Sequence, residues 1–254
     1  MLPSDRRRVF GPWVWACALL YFLLRFYNIL YMLDEPENSP LIVFQFSGTL
    51  GLGAQILPLL CALPAAGAFA REYTCGFSSP AVLRAGKSRY LRSKVLGAAL
   101  SGGLVPAVGD IAFFALLHVL YRYDPAGAEA LYGSEGMIAV AFAGIWGYLS
   151  FFLGIVLIHF FAGMFWALSG LVVSAWFPNL LWAVCTPLIL YQVSIELYYW
   201  TEIPLFCNLA LLQEAEVDLS FGGTLLAGLG LFGLLSALAA GVFARRAKRR
   251  LSYA

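Results

Sequence analysis

Apolar residues fill this chain in six long runs, which are separated by segments of about 4 to 27 residues. Each run is about 20 residues or longer, the helix length that crosses the ~30 Å hydrocarbon core of a bilayer. No alternation of apolar and polar positions indicates the strands of a barrel. The pattern predicts an all-α polytopic membrane protein with six transmembrane helices, at Trp13–Leu33, Val43–Ala70, Val95–Tyr121, Leu149–Ala175, Leu180–Tyr199 and Phe221–Ala244.

The composition supports the same fold class. The 254 residues are 61% hydrophobic and 12% charged, whereas a soluble domain carries about 25% charged residues. The first apolar run is too long for the core of a signal peptide and lacks a small-residue cleavage site, so we expect it to stay as a span. We expect one transmembrane domain over residues 1–254.

The charged residues lie in alternate polar segments. Fourteen of the sixteen Lys and Arg residues lie at 6–8, 71–94 and 245–250, and eleven of the fourteen acidic residues lie at or near 34–42, 122–148 and 200–220. Because Lys and Arg accumulate on the cytoplasmic side, both termini are predicted to be cytoplasmic. Apolar residues at helical spacing also predict interfacial or re-entrant helices in the external segments, around 137–145 and 204–212.

The chain offers little that could carry catalysis. It has no P-loop motif, so it cannot bind ATP in that way. Its two histidines, His118 and His159, have no carboxylate cluster close to them in sequence, and we expect neither a metal site nor catalytic residues. We also expect no bound cofactor and no nucleic-acid ligand.

Two charges fall inside predicted spans, where a charge costs at least ~2.5–3.5 kcal/mol. At 1.5 Å per residue, Arg25 lies about 18 Å along the first span and Asp110 about 22 Å along the third, both counted from the cytoplasmic side. The similar depth predicts an intramembrane charge pair between Arg25 and Asp110, with a structural role. The alternative is that Arg25 reaches up to the outer headgroups while Asp110 is neutral or faces a wet vestibule.

The polar segment 71–94 has the most specific pattern. An acidic residue follows the second apolar run, a glycine comes four positions later, and a basic stretch leads to the lysine that opens the third run. In this pattern the chain resembles the type 2 ABC permeases, the membrane subunits of ATP-binding-cassette exporters. The matching residues are Glu72, Gly76, Arg89, Tyr90 and Lys94. The stretch 168–174, with Asn179 and Pro187, looks like the connection between the fourth and fifth spans of such permeases.

The resemblance implies a function for the segment 71–94, as a coupling helix that docks on a separate ABC ATPase subunit. The residues expected to make this contact are Arg71, Glu72, Tyr73, Gly76 and Phe77. ATP and Mg would bind on that partner rather than on this chain. A second permease would complete a homodimer or heterodimer in a bacterial plasma membrane, with spans one, two and five lining the path.

The resemblance favours export, and the aromatic, almost uncharged spans favour a hydrophobic or amphipathic substrate such as a peptide, drug or lipid-like molecule. Two alternatives stay open. The basic segment could simply fix the topology and contact membrane lipid headgroups. The chain could also be an ion-coupled transporter or channel with a proton relay through Arg25, Asp110, His118 and His159.

Overall fold

The computed structural model describes residues 2–30, 40–49, 52–121, 144–203, 205–206 and 221–251, in which all regular structure is helical. In chain order the helices are α1 Pro3–Val9, α2 Pro12–Ile29, α3 Pro40–Thr49, α4 Leu52–Ala62, α5 Ala68–Thr74, α6 Ser78–Ala85, α7 Lys87–Leu120, α8 Gly144–Trp176, α9 Leu180–Thr201 and α10 Phe221–Arg250. The predicted external helices around 137–145 and 204–212 fall almost entirely on residues outside these ranges.

Within the described residues, five helical segments are long and apolar enough to cross a membrane, which makes the chain a multi-pass membrane protein. They are the segment from Asp5 to the end of α2, and helices α7, α8, α9 and α10. Helix α4 is apolar but shorter, with 11 residues. Five of the six predicted spans therefore correspond to long helices.

The second apolar run differs from its prediction. A continuous helix over Val43–Ala70 was expected, but α4 ends at Ala62, residues 63–67 form a turn, and α5 begins at Ala68. Pro64 explains the end of α4, because proline lacks an N–H group and disfavours helical geometry in the residue before it. The prediction of one unbroken helix through this run was wrong.

Other helices extend beyond the apolar runs that predicted them. Helix α7 begins at Lys87, eight residues before the predicted Val95, and α10 continues past Ala244 to Arg250. Gly86, at φ 80°, occupies the left-handed region directly before α7. The basic residues at both places therefore lie on the ends of long helices rather than in loops. Helix α1, which opens with Pro3, was not predicted.

Helix α8 lies at the centre of the bundle. It packs against α7, α10, α9 and α4, while α2 packs against α7 and α4. The α7–α8 contact depends on glycine, because a Cβ on Gly102 would lie 2.5 Å from the carbonyl oxygen of Gly163. Small residues of this kind let helix backbones approach closely in membranes.

The three basic segments meet at one end of the bundle, which we call the basic end. There the backbone N–H of Leu2 donates to Ser93 at 2.6 Å, which joins α1 to the start of α7. At the same end Arg250 donates to the carbonyl of Trp176, and its guanidinium lies 5.5 Å from the centre of the Tyr73 ring. The last turns of α8 and α10 therefore lie beside α5.

Candidate functional site

The five residues predicted to contact an ATPase do not share one face. Arg71, Glu72 and Tyr73 lie on α5, and Gly76 follows with φ 70° in the turn that leads to α6. Arg71 is exposed, Tyr73 is half-buried and Glu72 is buried. Phe77 is 62% exposed. The segment thus has an inner side formed by Glu72 and an outer side that includes Arg71 and Phe77.

Glu72 points into the protein. One carboxylate oxygen accepts from Lys94 Nζ at 2.6 Å and from Arg8 Nη1 at 2.8 Å, and the other accepts from the Tyr90 hydroxyl at 2.9 Å. Glu72 was predicted to contact an ATPase subunit. In the structure, three donors from this same chain occupy its carboxylate.

Lys94 also binds the N-terminal helix. Its Nζ lies 2.7 Å from one carboxylate oxygen of Asp5, and Ser93 donates to the other at 2.6 Å. The Lys94 side chain is only 1% exposed. We call this set the basic-end ion network; its members are Asp5, Arg8, Glu72, Tyr90, Ser93 and Lys94. Two cations balance two carboxylates in it, and together they fasten α1, α5 and α7 to one another.

Helix α6 presents a mixed face to the outside. Ser78 is buried against the bundle, whereas Leu83 is 86% exposed and Pro80 and Arg84 are exposed as well. Together with Phe77, these side chains form what we call the α6 outer face. Sequence reasoning singled out Phe77 but not Leu83, which lies six positions later, about 120° away around a helix.

The structure brings Arg25 and Asp110 together inside the bundle. Arg25 Nη1 bonds to Asp110 Oδ1, which also accepts from the Tyr21 hydroxyl at 3.2 Å. The second oxygen of Asp110 lies 2.6 Å from Nδ1 of His159 on α8. Both Arg25 and Asp110 are 0% exposed, so neither reaches headgroups or a wet vestibule.

The remaining donors of Arg25 are also used. Its Nε and Nη2 donate to Ser47 Oγ at 3.1 and 2.9 Å, and Nη2 also donates to the Phe44 carbonyl. The guanidinium lies 4.1 Å from the centre of the Phe44 ring and 4.7 Å from that of Phe113, which adds cation–π attraction. We call this set the Asp110 cluster; its members are Tyr21, Arg25, Ser47, Asp110 and His159.

His118 lies apart from this cluster. Its Nδ1 is 2.9 Å from the Phe114 carbonyl on the same helix, and its ring contacts those of Phe114 and Tyr148. Of the four residues in the alternative proton relay, Arg25, Asp110 and His159 therefore lie together, and His118 does not. In the part of the chain that the structure describes, no group of His, Cys, Asp or Glu could hold a metal ion.

Comparison with protein-family models, with curated proteins and with solved structures finds no match. Function is therefore inferred from three features of the molecule itself: the α6 outer face, the basic-end ion network beneath it, and the Asp110 cluster inside the bundle.

Proposed function

We propose that the chain is the permease subunit of an ATP-driven exporter, similar to the type 2 ABC permeases, in a bacterial plasma membrane. The observation that carries this proposal is α6. It is a short helix at the basic end, between the second apolar run and α7. Its outer face exposes apolar side chains, while Ser78 on its other side is buried against the bundle.

The partner in this proposal is an ABC ATPase subunit in the cytoplasm. Phe77 and Leu83 are the exposed apolar anchors, and Arg84 and Arg71 add positive charge beside them. Aromatic and arginine side chains are the residues that most often dominate the free energy of such contacts. Because this chain has no P-loop, ATP and Mg would be bound and used on that partner.

A push on α6 would reach the spans through the basic-end ion network. Helix α6 packs against both α5 and α7, so it can transmit force to both. The bonds of Lys94 to Glu72 and Asp5 would make α5, α7 and α1 move together. Helix α1 leads directly into α2, which would carry the movement into the first span.

The proposed path lies at a contact with a second permease, identical or related. Helices α3 and α4 would provide the sixth crossing of the membrane. Helix α4 packs between α2 and α9, so the elements that correspond to spans one, two and five lie side by side. Helix α9 exposes a large apolar surface that includes Trp182 and Trp200. This apolar surface of α9 suits a hydrophobic or amphipathic substrate.

The test measures binding of an ATPase subunit to the full-length chain in lipid nanodiscs, together with ATP-dependent transport. The double variant Phe77→Ala/Leu83→Ala should weaken binding by about 30-fold or more, since interface hot spots cost about 2 kcal/mol or more. Phe10→Ala is the matched control, because Phe10 has the same exposed fraction of 62% and lies outside α6. Unchanged binding by the double variant, or equal loss in the control, would exclude the proposed docking face.

A second candidate function is ion-coupled transport, and the contact of Asp110 with both Arg25 and His159 supports it. Proton relays in membrane carriers use intramembrane carboxylates and histidines. Transport into vesicles that follows an imposed proton gradient and continues without ATP would favour this candidate. Transport that requires ATP and ignores the gradient would favour the ATP-driven exporter.

A further inference from the structure

A groove of about 780 Å³ runs along the surface between the beginning of α7 and the end of α10. Its volume is within the range of about 300–1,000 Å³ that is typical of ligand sites. The groove is open because α10 contributes only Ala240 and Ala244 to its apolar wall, opposite Leu91 and Val95 of α7. Its remaining lining includes several cations, and none of these residues belongs to the α6 outer face.

The groove changes from polar to apolar along its length. Helix α7 leaves the basic end and α10 returns to it, so Lys87 and Lys248 lie at one end of the groove, and Leu96 and Ala240 lie at the other. At 1.5 Å per residue, Lys87 lies about 14 Å from Leu96 along α7, and Lys248 lies about 12 Å from Ala240 along α10. A ligand that fits this gradient has an anionic head and a hydrocarbon tail.

Among the described residues, the four cations of the groove have no acidic partner. Lys87, Arg92, Arg245 and Lys248 line it, and none of them forms an ion pair with a carboxylate of the described residues. A smaller groove of about 370 Å³ adjoins it and shares Lys87, Arg245 and Lys248. Like charges that line one groove repel one another, and a bound anion would relieve that repulsion.

Neighbouring basic residues behave differently. The guanidinium of Arg246 lies 4.3 Å from the centre of the Trp176 ring, and Arg250 donates to the carbonyl of the same residue. These two arginines pack α10 against α8. The basic stretch at the end of α10 thus divides into an inner side that holds the bundle together and an outer side that faces the groove.

We propose that this groove is a binding site for one anionic phospholipid from the surrounding membrane. The phosphate of the headgroup would lie among the four cations, and an acyl chain would run along Leu91, Val95 and Leu96. Basic pockets between transmembrane helices on the cytoplasmic side bind such headgroups. A soluble phosphate compound would leave the apolar wall empty. A second copy of this chain would bring the same cations to the groove, because a two-fold contact pairs identical surfaces.

The site can be tested by native mass spectrometry of the full-length protein titrated with phosphatidylglycerol, with phosphatidylcholine of the same acyl chains, and with inorganic phosphate. We expect tighter binding of phosphatidylglycerol than of either other ligand. The variant Arg92→Gln/Lys248→Gln should weaken that binding by about 25-fold, since each cation near anionic lipid contributes about five-fold. The control Arg6→Gln/Arg7→Gln removes two exposed cations at the same end and should change binding by less than about two-fold.

A third variant tests the shape of the groove without changing its charge. Ala244→Trp should fill the apolar part and abolish the preference for phosphatidylglycerol, while the protein still unfolds thermally at its usual temperature. If that variant does not fold, the two charge variants, which change exposed residues, decide the matter. The proposal would be overturned if the groove and control variants lost equal affinity for phosphatidylglycerol, or if phosphatidylcholine bound as tightly as phosphatidylglycerol. It would also be overturned if inorganic phosphate alone displaced phosphatidylglycerol. A protein dimer that Ala244→Trp disrupts would instead assign the groove to a second copy of this chain.

Discussion

Lys94 and Glu72 form an ion pair of 2.6 Å that joins the second turn of α7 to α5. The two residues are 22 positions apart in the sequence, and the short helix α6 lies between them. The same ammonium group also lies 2.7 Å from Asp5. One buried cation therefore serves two carboxylates from two different helices, and its loss would leave both of them without their main counter-charge.

The first prediction concerns Lys94→Met, which keeps the length of the side chain but removes its charge. Breaking one side of a buried ion pair costs about 3–5 kcal/mol, so we expect a free energy of unfolding lower by about this amount. The measurement is unfolding in detergent, monitored by tryptophan fluorescence. Arg89→Met is the matched control, because Arg89 is exposed on the same helix. Similar stability of the two variants would show that the network contributes nothing.

The second prediction concerns Asp110→Asn. This change leaves the buried guanidinium of Arg25 among aromatic rings without its counter-charge. An uncompensated charge at this depth costs at least ~2.5–3.5 kcal/mol, so we expect a marked loss of folded protein in membranes. Glu196→Gln is the control, since it neutralises an exposed carboxylate on another span, α9. Folded protein is measured by size-exclusion chromatography of the solubilised membranes.

The double variant Arg25→Met/Asp110→Asn completes this test. Removing both charges abolishes the desolvation penalty as well as the attraction, so the double variant should recover most of the folded protein lost in the single variant. No recovery would mean that Asp110 acts through Tyr21 or His159 rather than through Arg25.

The Asp110 cluster shows how far depth along a helix can predict contacts. Arg25 and Asp110 were predicted to meet because they lie at similar depths in their spans, and His159 could have been found in the same way. Counted from the outer ends of the predicted spans, His159 lies about 15 Å deep and Asp110 about 16 Å deep. The charge-pair prediction left out His159, which was named only in the alternative of a proton relay, because a histidine in a span is not an obligatory charge. The contribution of Ser47 depends on how α3 packs, and no sequence pattern reports that.

The fold shows a similar division. Hydropathy over a long run is a sum of many residues, so it predicted the long helices α7 to α10 well. Hydropathy could not predict the end of the helix at Ala62, because a single proline, Pro64, ends the helix without changing the apolar character of the run. The inward orientation of Glu72 depends on Lys94 and Arg8, which are distant in sequence. The local sequence pattern therefore singled out Glu72 but could not predict that its side chain points into the protein.

The third prediction concerns the close contact of α7 and α8. A methyl group on Gly102 would lie 2.5 Å from the Gly163 carbonyl oxygen, so Gly102→Ala should force the two helices apart. Overpacking of this kind costs about 1–3 kcal/mol. Gly241→Ala is the control, since nothing lies within 4 Å of its added methyl group. It should be neutral or stabilising by up to about 1 kcal/mol, because alanine favours a helix more than glycine does.

Thermal unfolding of both glycine variants checks this prediction. A lower midpoint for Gly102→Ala and an unchanged or higher midpoint for Gly241→Ala are expected. Two unchanged midpoints would mean that α7 and α8 can separate without cost, in which case Gly102 would be a hinge rather than a packing contact.

The fourth prediction compares the two histidines. His159 lies 2.6 Å from a carboxylate oxygen of Asp110 in the buried cluster. His118 is exposed, and its Nδ1 lies 2.9 Å from the Phe114 carbonyl of the same helix. A hydrogen bond to a charged group contributes about 1.5–3 kcal/mol. We expect His159→Leu to lower the free energy of unfolding by that amount, and His118→Leu to change it by less than about 0.5 kcal/mol.

Transport measurements on the same two variants separate a structural role of His159 from proton coupling. If the chain is the proposed exporter and the cluster only holds α2, α7 and α8 together, the His159→Leu protein that folds should still show ATP-dependent transport. Its rate per folded molecule should equal that of the unchanged protein. His159→Asn keeps an N–H donor near Asp110 and should recover part of the lost stability. A rate per folded molecule that falls for both His159 variants and depends on an imposed proton gradient would instead assign the cluster to ion-coupled transport.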